Sequence, residues 1–326
     1  MIRKALFAVV VVIVVVIAAV LLLAYSGFRR DLDDAQKRIA AGSELVDTPC
    51  GVIEYTDVGS GPPLLIIHGA GGGFDQSLAV GRPLIENGFR IIAPSRFGYL
   101  RTPLPADATP MAQADAHACL LDALGLERVA VVGASLGAPS AVQLCLRHPK
   151  RCNAMVLVVP VLHSPQGTNE FLQRALNFVR RTPDALLGSD LGFWLATRFG
   201  GKTLTELLIG VSHDELRRAS TAEQERIRGM IDLALPISAR ARGVRNDVSI
   251  ALPRYALDRI DAPTLIVSVE SDLYGTFDIA RYTAGQIPGA RLLRYATGGH
   301  LWVGHHEDMP FEVATFLRGA RSNLGH

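Results

Sequence analysis

Val129-Ala130-Val131-Val132-Gly133-Ala134-Ser135-Leu136-Gly137-Ala138 joins an unbroken apolar run to a glycine-bounded serine and then to residues compatible with a helix. A short apolar run without alternation reads as a strand buried on both faces. The serine between Gly133 and Gly137 then sits on a tight strand-to-helix turn. Residues two before and two after it must be small, because neighbouring backbone approaches closely there. Such a turn aims the free N–H groups of the helix start at the space in front of the serine. Alone, the pentapeptide fits any glycine-bounded βα turn of a parallel-sheet protein, so the rest of the chain must be read for the same rhythm.

The rhythm recurs. Apolar runs stand at Leu64–His68, Arg90–Ala93, Met155–Val159, Thr264–Val269 and Arg291–Tyr295. Helical periodicity lies between them at Leu78–Asn87, Ala112–Leu124, Ala138–Arg147, Phe277–Ile287 and Pro310–Arg318. Strand-helix alternation with short connections implies right-handed crossovers and a mainly parallel sheet. Glu44–Val46 and Gly51–Val58 read as an opening antiparallel hairpin around Asp47-Thr48-Pro49-Cys50. From about His163 to Asn246 no buried strand is visible, only helical segments rich in Leu, Arg and Phe. This interval is expected to form a helical cap, within about 161–246, over one edge of the sheet. The tail Ser322–His326 is expected to fray.

Two further positions fall in matching places. Asp272 follows Val269-Glu270-Ser271, just past the carboxyl end of a strand, and His300 lies in the glycine-bounded loop Thr297-Gly298-Gly299-His300-Leu301 after the last strand. Open α/β sheets build their sites at those carboxyl ends. A lone loop Asp is ordinarily a cap or a solvated turn residue, and a lone loop His often has no role. The chain order Ser, Asp, His at three such ends is what distinguishes this chain.

With these residues in place, the chain from about Val46 to Leu317 resembles the α/β-hydrolase fold family, as a membrane-anchored member of bacterial type. The resemblance extends to His68-Gly69 after the third strand, a pair that precedes the oxyanion loop in that family. It implies an α/β fold with a mainly parallel central sheet, flanking helices and a helical cap. It also implies a serine hydrolase in which Ser135, Asp272 and His300 form the triad. The backbone N–H of Leu136 would pair with that of Ala70, or alternatively Gly71, to hold an oxyanion. The expected substrate is a small molecule with an ester or other carbonyl, and no cofactor or metal is required. Carboxylic-ester hydrolysis is the leading activity. The alternatives are a carbon–carbon bond hydrolase of ring-cleavage products and a ligand-binding protein that keeps the fold without turnover. For the carbon–carbon hydrolase, His68-Gly69-Ala70-Gly71-Gly72-Gly73 resembles the glycine-rich oxyanion loop of such enzymes, but the proline usual within it is absent. A phosphate cradle is a weak reading of these glycines, because no P-loop spacing or Lys-Ser/Thr follows.

Rival residues have blander readings. Glu270 lies nearer the strand than Asp272, and Asp247 fits a tie at the cap's exit. No acid follows the strand ending at Val159-Pro160. His305 and His306 fall where the last helix starts, as a surface pair. His68 reads as a strand-end residue orienting the oxyanion loop.

Composition bounds the rest. The 326 residues carry 20% charged side chains and a net charge of +2, which points to no nucleic-acid partner, and no obligate protein partner is evident. Ala5–Tyr25 is an uncharged, apolar run of 21 residues between Arg3-Lys4 and Arg29-Arg30. As a helix it spans roughly 31 Å, the thickness of a bilayer core. A cleaved signal peptide has a shorter apolar region and a small-x-small cleavage site, which Ala24-Tyr25-Ser26 matches poorly. Residues 1–30 therefore read as a single-pass anchor with its flanks, 31–42 as a short linker helix and 43–326 as the hydrolase domain. Arg3 and Lys4 favour an extracytoplasmic, periplasmic domain, while Arg29, Arg30, Lys37 and Arg38 oppose it. Of the four cysteines, Cys145 and Cys152 are near enough to meet across a short turn. A free, buried role is the default for them, and the compartment stays open on cysteine usage.

Overall fold

The computed structural model describes residues 2–322. Eight strands form one sheet in the order β1-β2-β4-β3-β5-β6-β7-β8. They are β1 (Glu44–Thr48), β2 (Gly51–Val58), β3 (Pro63–Ile67), β4 (Arg90–Pro94), β5 (Val129–Ala134), β6 (Cys152–Val158), β7 (Thr264–Val269) and β8 (Arg291–Tyr295). β1, β2 and β4 pair antiparallel, and all other neighbours are parallel. The expected α/β-hydrolase fold with a mainly parallel sheet is the fold observed.

The apolar runs are strands because both of their faces are covered. Leu65, Ile67, Val129, Val131, Met155 and Leu157 enter one core, while Leu64, Ile66, Ala130, Val132, Ala154 and Val156 enter the other. The first core lies under α3 (Pro110–Ala123), α4 (Ala138–Arg147) and α12 (Thr276–Gln286). The second lies under α2 (Phe74–Glu86) and α13 (Asp308–Ser322). Each fully buried aliphatic side chain contributes about 1.5–3 kcal/mol to this arrangement. The tail expected to fray lies outside the described residues beyond Ser322, the last residue of α13.

Between β6 and β7 the chain makes helices only: α5 (Glu170–Arg181), α6 (Asp184–Leu187), α7 (Asp190–Phe199), α8 (Gly201–Ile209), α9 (His213–Arg218), α10 (Thr221–Asp232) and α11 (Ala241–Ser249), with 3-10 turns. Side-chain caps define several starts: Asn169 on α5, Ser189 on α7, Ser212 on α9 and Ser220 on α10 each accept a helix N–H. This cap returns to the sheet through Asp247, which takes a forked ion pair from Arg96 after β4.

The stretches read as anchor and linker form one helix. α1 runs unbroken over Ile2–Ala41. Its apolar stretch has a mean hydropathy of 3.7 and is long enough to cross a membrane, the one such helix among the described residues. The stretch expected to be a linker is docked instead. Phe28, Leu32 and Ala35 repeat at helical spacing and bury against Trp194 and Leu235 of the cap. Asp31 accepts from Trp194 Nε1 at 2.7 Å, and Arg38 donates to Asp75 at the start of α2 and to Leu235 O. The second half of α1 thus packs against the cap and the start of α2.

The cysteines also require a correction. Cys145 and Cys152 are bonded to each other, and Cys50 to Cys119, so none of the four is free. The short turn Pro149–Arg151 brings Cys145 and Cys152 to a Cα–Cα distance of 5.1 Å, within disulfide reach. Cys50 lies in the β1–β2 turn, which packs against α3 and its Cys119.

Candidate active site

Ser135 sits where β5 turns into α4, at φ 49°, in the left-handed region that non-glycine residues seldom enter. The flanking glycines permit the close approach. A Cβ on Gly137 would lie 2.5 Å from the carbonyl oxygens of Ile67 and His68, and one on Gly133 would lie 2.6 Å from Ala141 Cβ.

His300 Nε2 lies 3.0 Å from Ser135 Oγ, and His300 Nδ1 lies 2.7 Å from Asp272 Oδ2. Three residues that are 137 and 28 positions apart in the chain (135, 272, 300) therefore form one continuous hydrogen-bonded line. Asp272 is fully buried, and its carboxylate also accepts from the Tyr274 N–H and the Thr276 hydroxyl. Those extra bonds hold both of its oxygens. The Tyr274 ring stands edge-on to the His300 ring at 4.7 Å and its hydroxyl donates to Leu207 O. Burial and the nearby Asp272 charge push the Tyr274 phenol far up, so it stays protonated.

The cap completes the loop that carries His300. Gly210 O accepts the His300 N–H at 3.2 Å and the Leu273 N–H at 3.1 Å. A Cβ on Gly210 would fall 2.7 Å from His300 Cβ. Glu215 accepts from Ser271 Oγ and the Gly298 N–H, and Ser271 in turn accepts from the Gly299 N–H.

On the other side of Ser135 lies the glycine-rich loop. Gly69 is so close that a Cβ there would be 3.0 Å from Ser135 Cβ. His68 is buried, with Nδ1 2.7 Å from Gly69 O and Nε2 accepting the Arg96 N–H at 3.0 Å. Those partners assign the proton to Nδ1. Burial, and then the Arg96 charge, hold the His68 pKa well below its usual range, so the ring is neutral. The Gly71 N–H is directed to the Tyr99 hydroxyl at 3.3 Å, and Tyr99 donates to Asp247. Ala70, by contrast, is exposed.

The remaining sequence candidates lie elsewhere. Glu270 pairs with Arg294 on the surface. His305 stacks on Tyr295 and faces Thr297 O, and His306 meets Glu223 of the cap. Tyr99, Tyr274, Arg96, Gly210 and Glu215 were not singled out by sequence. Only Gly210, as a glycine between predicted helices, carried a local signal. Among the described residues no cluster of His, Cys, Asp or Glu could hold a metal ion.

The eight-stranded sheet, the serine turn and the capped carboxyl edge define an α/β hydrolase. Residues 62–303 match the sequence profile of the alpha/beta hydrolase fold, and the chain belongs to that family. It is 26% identical over 284 residues to a 2-hydroxy-6-oxononadienedioate/2-hydroxy-6-oxononatrienedioate hydrolase of Pseudomonas putida, covering 82% of this chain and 91% of that one. Several other curated hydrolases are matched over only 38–40% of their own length, so the chain spans about two fifths of each in those matches. Among solved structures, an alpha/beta hydrolase fold protein from Nakamurella multipartita superposes with a TM-score of 0.71 and 32% identity over 85% of this chain and 99% of that one. A membrane phospholipase A described as a bacterial virulence factor shares the fold at a TM-score of 0.67 and 20% identity, covering 98% of this chain and 99% of that one.

Proposed function

We propose that this α/β hydrolase works through Ser135 as nucleophile, His300 as general base and Asp272 as the carboxylate that orients and charge-stabilises the imidazole. The observation that carries the proposal is His300 bridging Ser135 Oγ at 3.0 Å and Asp272 Oδ2 at 2.7 Å. His300 Nε2 takes the Ser135 proton as Oγ attacks the substrate carbonyl. The Leu136 and Ala70 N–H groups receive the oxyanion. Gly71 is the weaker candidate because its N–H already serves Tyr99. His300 then returns the proton to the leaving group, and water hydrolyses the acyl-enzyme by the same route.

The favoured substrate is an uncharged or amphiphilic carboxylic ester. The Pseudomonas putida relative's name supports a second reading, cleavage of a carbon–carbon bond in a ring-cleavage diketone. A protein that binds ligand without turnover is disfavoured by the complete hydrogen-bonded line. Labelling by a fluorophosphonate, lost in Ser135→Ala, tests the nucleophile. Rates on p-nitrophenyl acyl esters and on dienoate diketones separate the two enzyme readings. If the folded protein neither takes the label nor turns over either class, the assignment fails.

The same reading makes α1 an uncleaved anchor and places the hydrolase domain on the extracytoplasmic side. Two disulfides support an oxidising compartment. Resistance of the full-length protein to carbonate extraction tests the anchor. An amino terminus near Gly27 in the native protein refutes it.

A further inference from the structure

Resting on the reading of α1 as a membrane anchor, we propose that α7 of the cap is an interfacial helix. Its outer stripe dips into the same leaflet from which α1 emerges and holds the cap against the lipid surface.

Three independent features meet there. Leu191, Leu195 and Phe199 recur every four residues along α7 and form one stripe on one side of the helix. They are 40%, 41% and 68% exposed. The adjoining side of α7 is the one that grips α1. Trp194 packs edge-on against Phe28 at 6.0 Å, lies over Gly27 and donates to Asp31, and Arg198 pairs with Asp31.

That contact falls at the point where the apolar run of α1 ends. Tyr25 is the last residue of that run, and Arg29 and Arg30 follow it, both exposed. Tyr25, Phe28, Trp194 and Phe199 thus form a chain of aromatic contacts, with ring separations of 6.1, 6.0 and 5.9 Å. Aromatic rings with polar tips collect at the boundary between headgroups and acyl chains, and flanking arginines reach outward to phosphates. A helix locked to the spanning helix at that depth cannot keep its apolar stripe in water without leaving the boundary. Continuity with the spanning segment therefore selects a lipid surface, rather than a protein, as the occupant of the stripe.

The placement bears on the site. α8 follows α7 directly and ends at Gly210, whose carbonyl binds the His300 N–H. The part of the cap nearest the lipid is thereby two helices from the triad.

The test uses the full-length chain in vesicles of phosphatidylethanolamine and phosphatidylglycerol. All four cysteines are in disulfides, so a thiol introduced by Leu195→Cys, Leu191→Cys or, as a control, Glu127→Cys is the one free thiol for a nitroxide label. Glu127 is exposed at the amino end of β5, the sheet edge away from the cap. Power saturation should give labels at 195 and 191 a several-fold higher ratio of oxygen to nickel-chelate accessibility than the label at 127. Protein that stays with the vesicles through carbonate washing but whose 195 and 191 labels match the 127 label overturns the placement of α7 and leaves the anchor standing. Protein stripped by carbonate overturns both.

Discussion

Arg96 and Asp247 form a buried, forked ion pair with N–O distances of 2.7 and 2.6 Å, joining the loop after β4 to the last helix of the cap. Tyr99 donates to the same carboxylate, and Arg96 also donates to Gly69 O. Removing one partner leaves the other charge buried without compensation, so Asp247→Ala should destabilise the fold by about 3–5 kcal/mol. Replacing both, as Arg96→Met with Asp247→Leu, should recover much of that loss. Urea unfolding checks both variants, and a double variant no more stable than Asp247→Ala counts against the account.

Ser135→Ala should leave the fold intact and remove ester hydrolysis, with a loss in turnover on the order of a million-fold. His300→Ala should behave alike, because its Nε2 is the group facing Ser135 Oγ. His305→Ala and His306→Ala should stay within a few-fold of the parent, since those rings face Thr297 O and Glu223. Retention of even a tenth of the rate by Ser135→Ala would sink the nucleophile.

Asp272 and Glu270 are separated by the same experiment. Asp272→Asn keeps the shape but disturbs the His300 tautomer, so turnover should fall on the order of ten-thousand-fold. Glu270 meets only Arg294, and Glu270→Gln should be close to silent. Equal effects at both positions would contradict the geometry.

His117 predicts an acid limb in stability. It is buried on α3 with no partner for either ring nitrogen, and burial pushes its pKa down to about 3. Its folded value is depressed, so the unfolded chain binds the extra proton between about pH 6.5 and 3, and stability falls as pH falls through that window. The loss from this one residue should reach about 2–3 kcal/mol by pH 4.5. His117→Leu should flatten that limb, and unfolding free energies at pH 7 and 4.5 measure it. An unchanged pH slope would show that His117 finds a partner in the folded protein.

The two disulfides should differ in worth. Cys50–Cys119 spans a sequence separation of 69 and Cys145–Cys152 one of 7. On the chain-entropy view, the first contributes about 4 kcal/mol and the second about 2–3. Thermal unfolding of the paired Cys→Ser variants checks the order, and a larger loss at Cys145–Cys152 would reverse it.

Much of the architecture was legible because its signals are local. A strand buried on both faces must be apolar throughout, and a serine on a left-handed turn between crowded strands must have small neighbours. Both constraints act over a few adjacent residues, so Val129–Gly137 states them outright. Asp272 and His300 were readable by the same logic, as polar residues just past strand ends, and the fold brings them to within hydrogen-bond distance of one another and of Ser135.

What tertiary structure alone decided are the pairings between distant segments. No spacing rule links Arg96 to Asp247, Glu215 to Gly298 or Cys50 to Cys119, because each side chain has many chemically equivalent partners until the backbone brings one within reach. The default of free cysteines failed for that reason. The docking of α1 on the cap was hidden for a related one: the helical spacing of Phe28, Leu32 and Ala35 marks an apolar stripe but not what covers it. Only the folded cap presents Trp194 and Leu235 to that stripe. A pattern within one helix is dictated by its own geometry, whereas its partner is chosen by the burial of the whole chain.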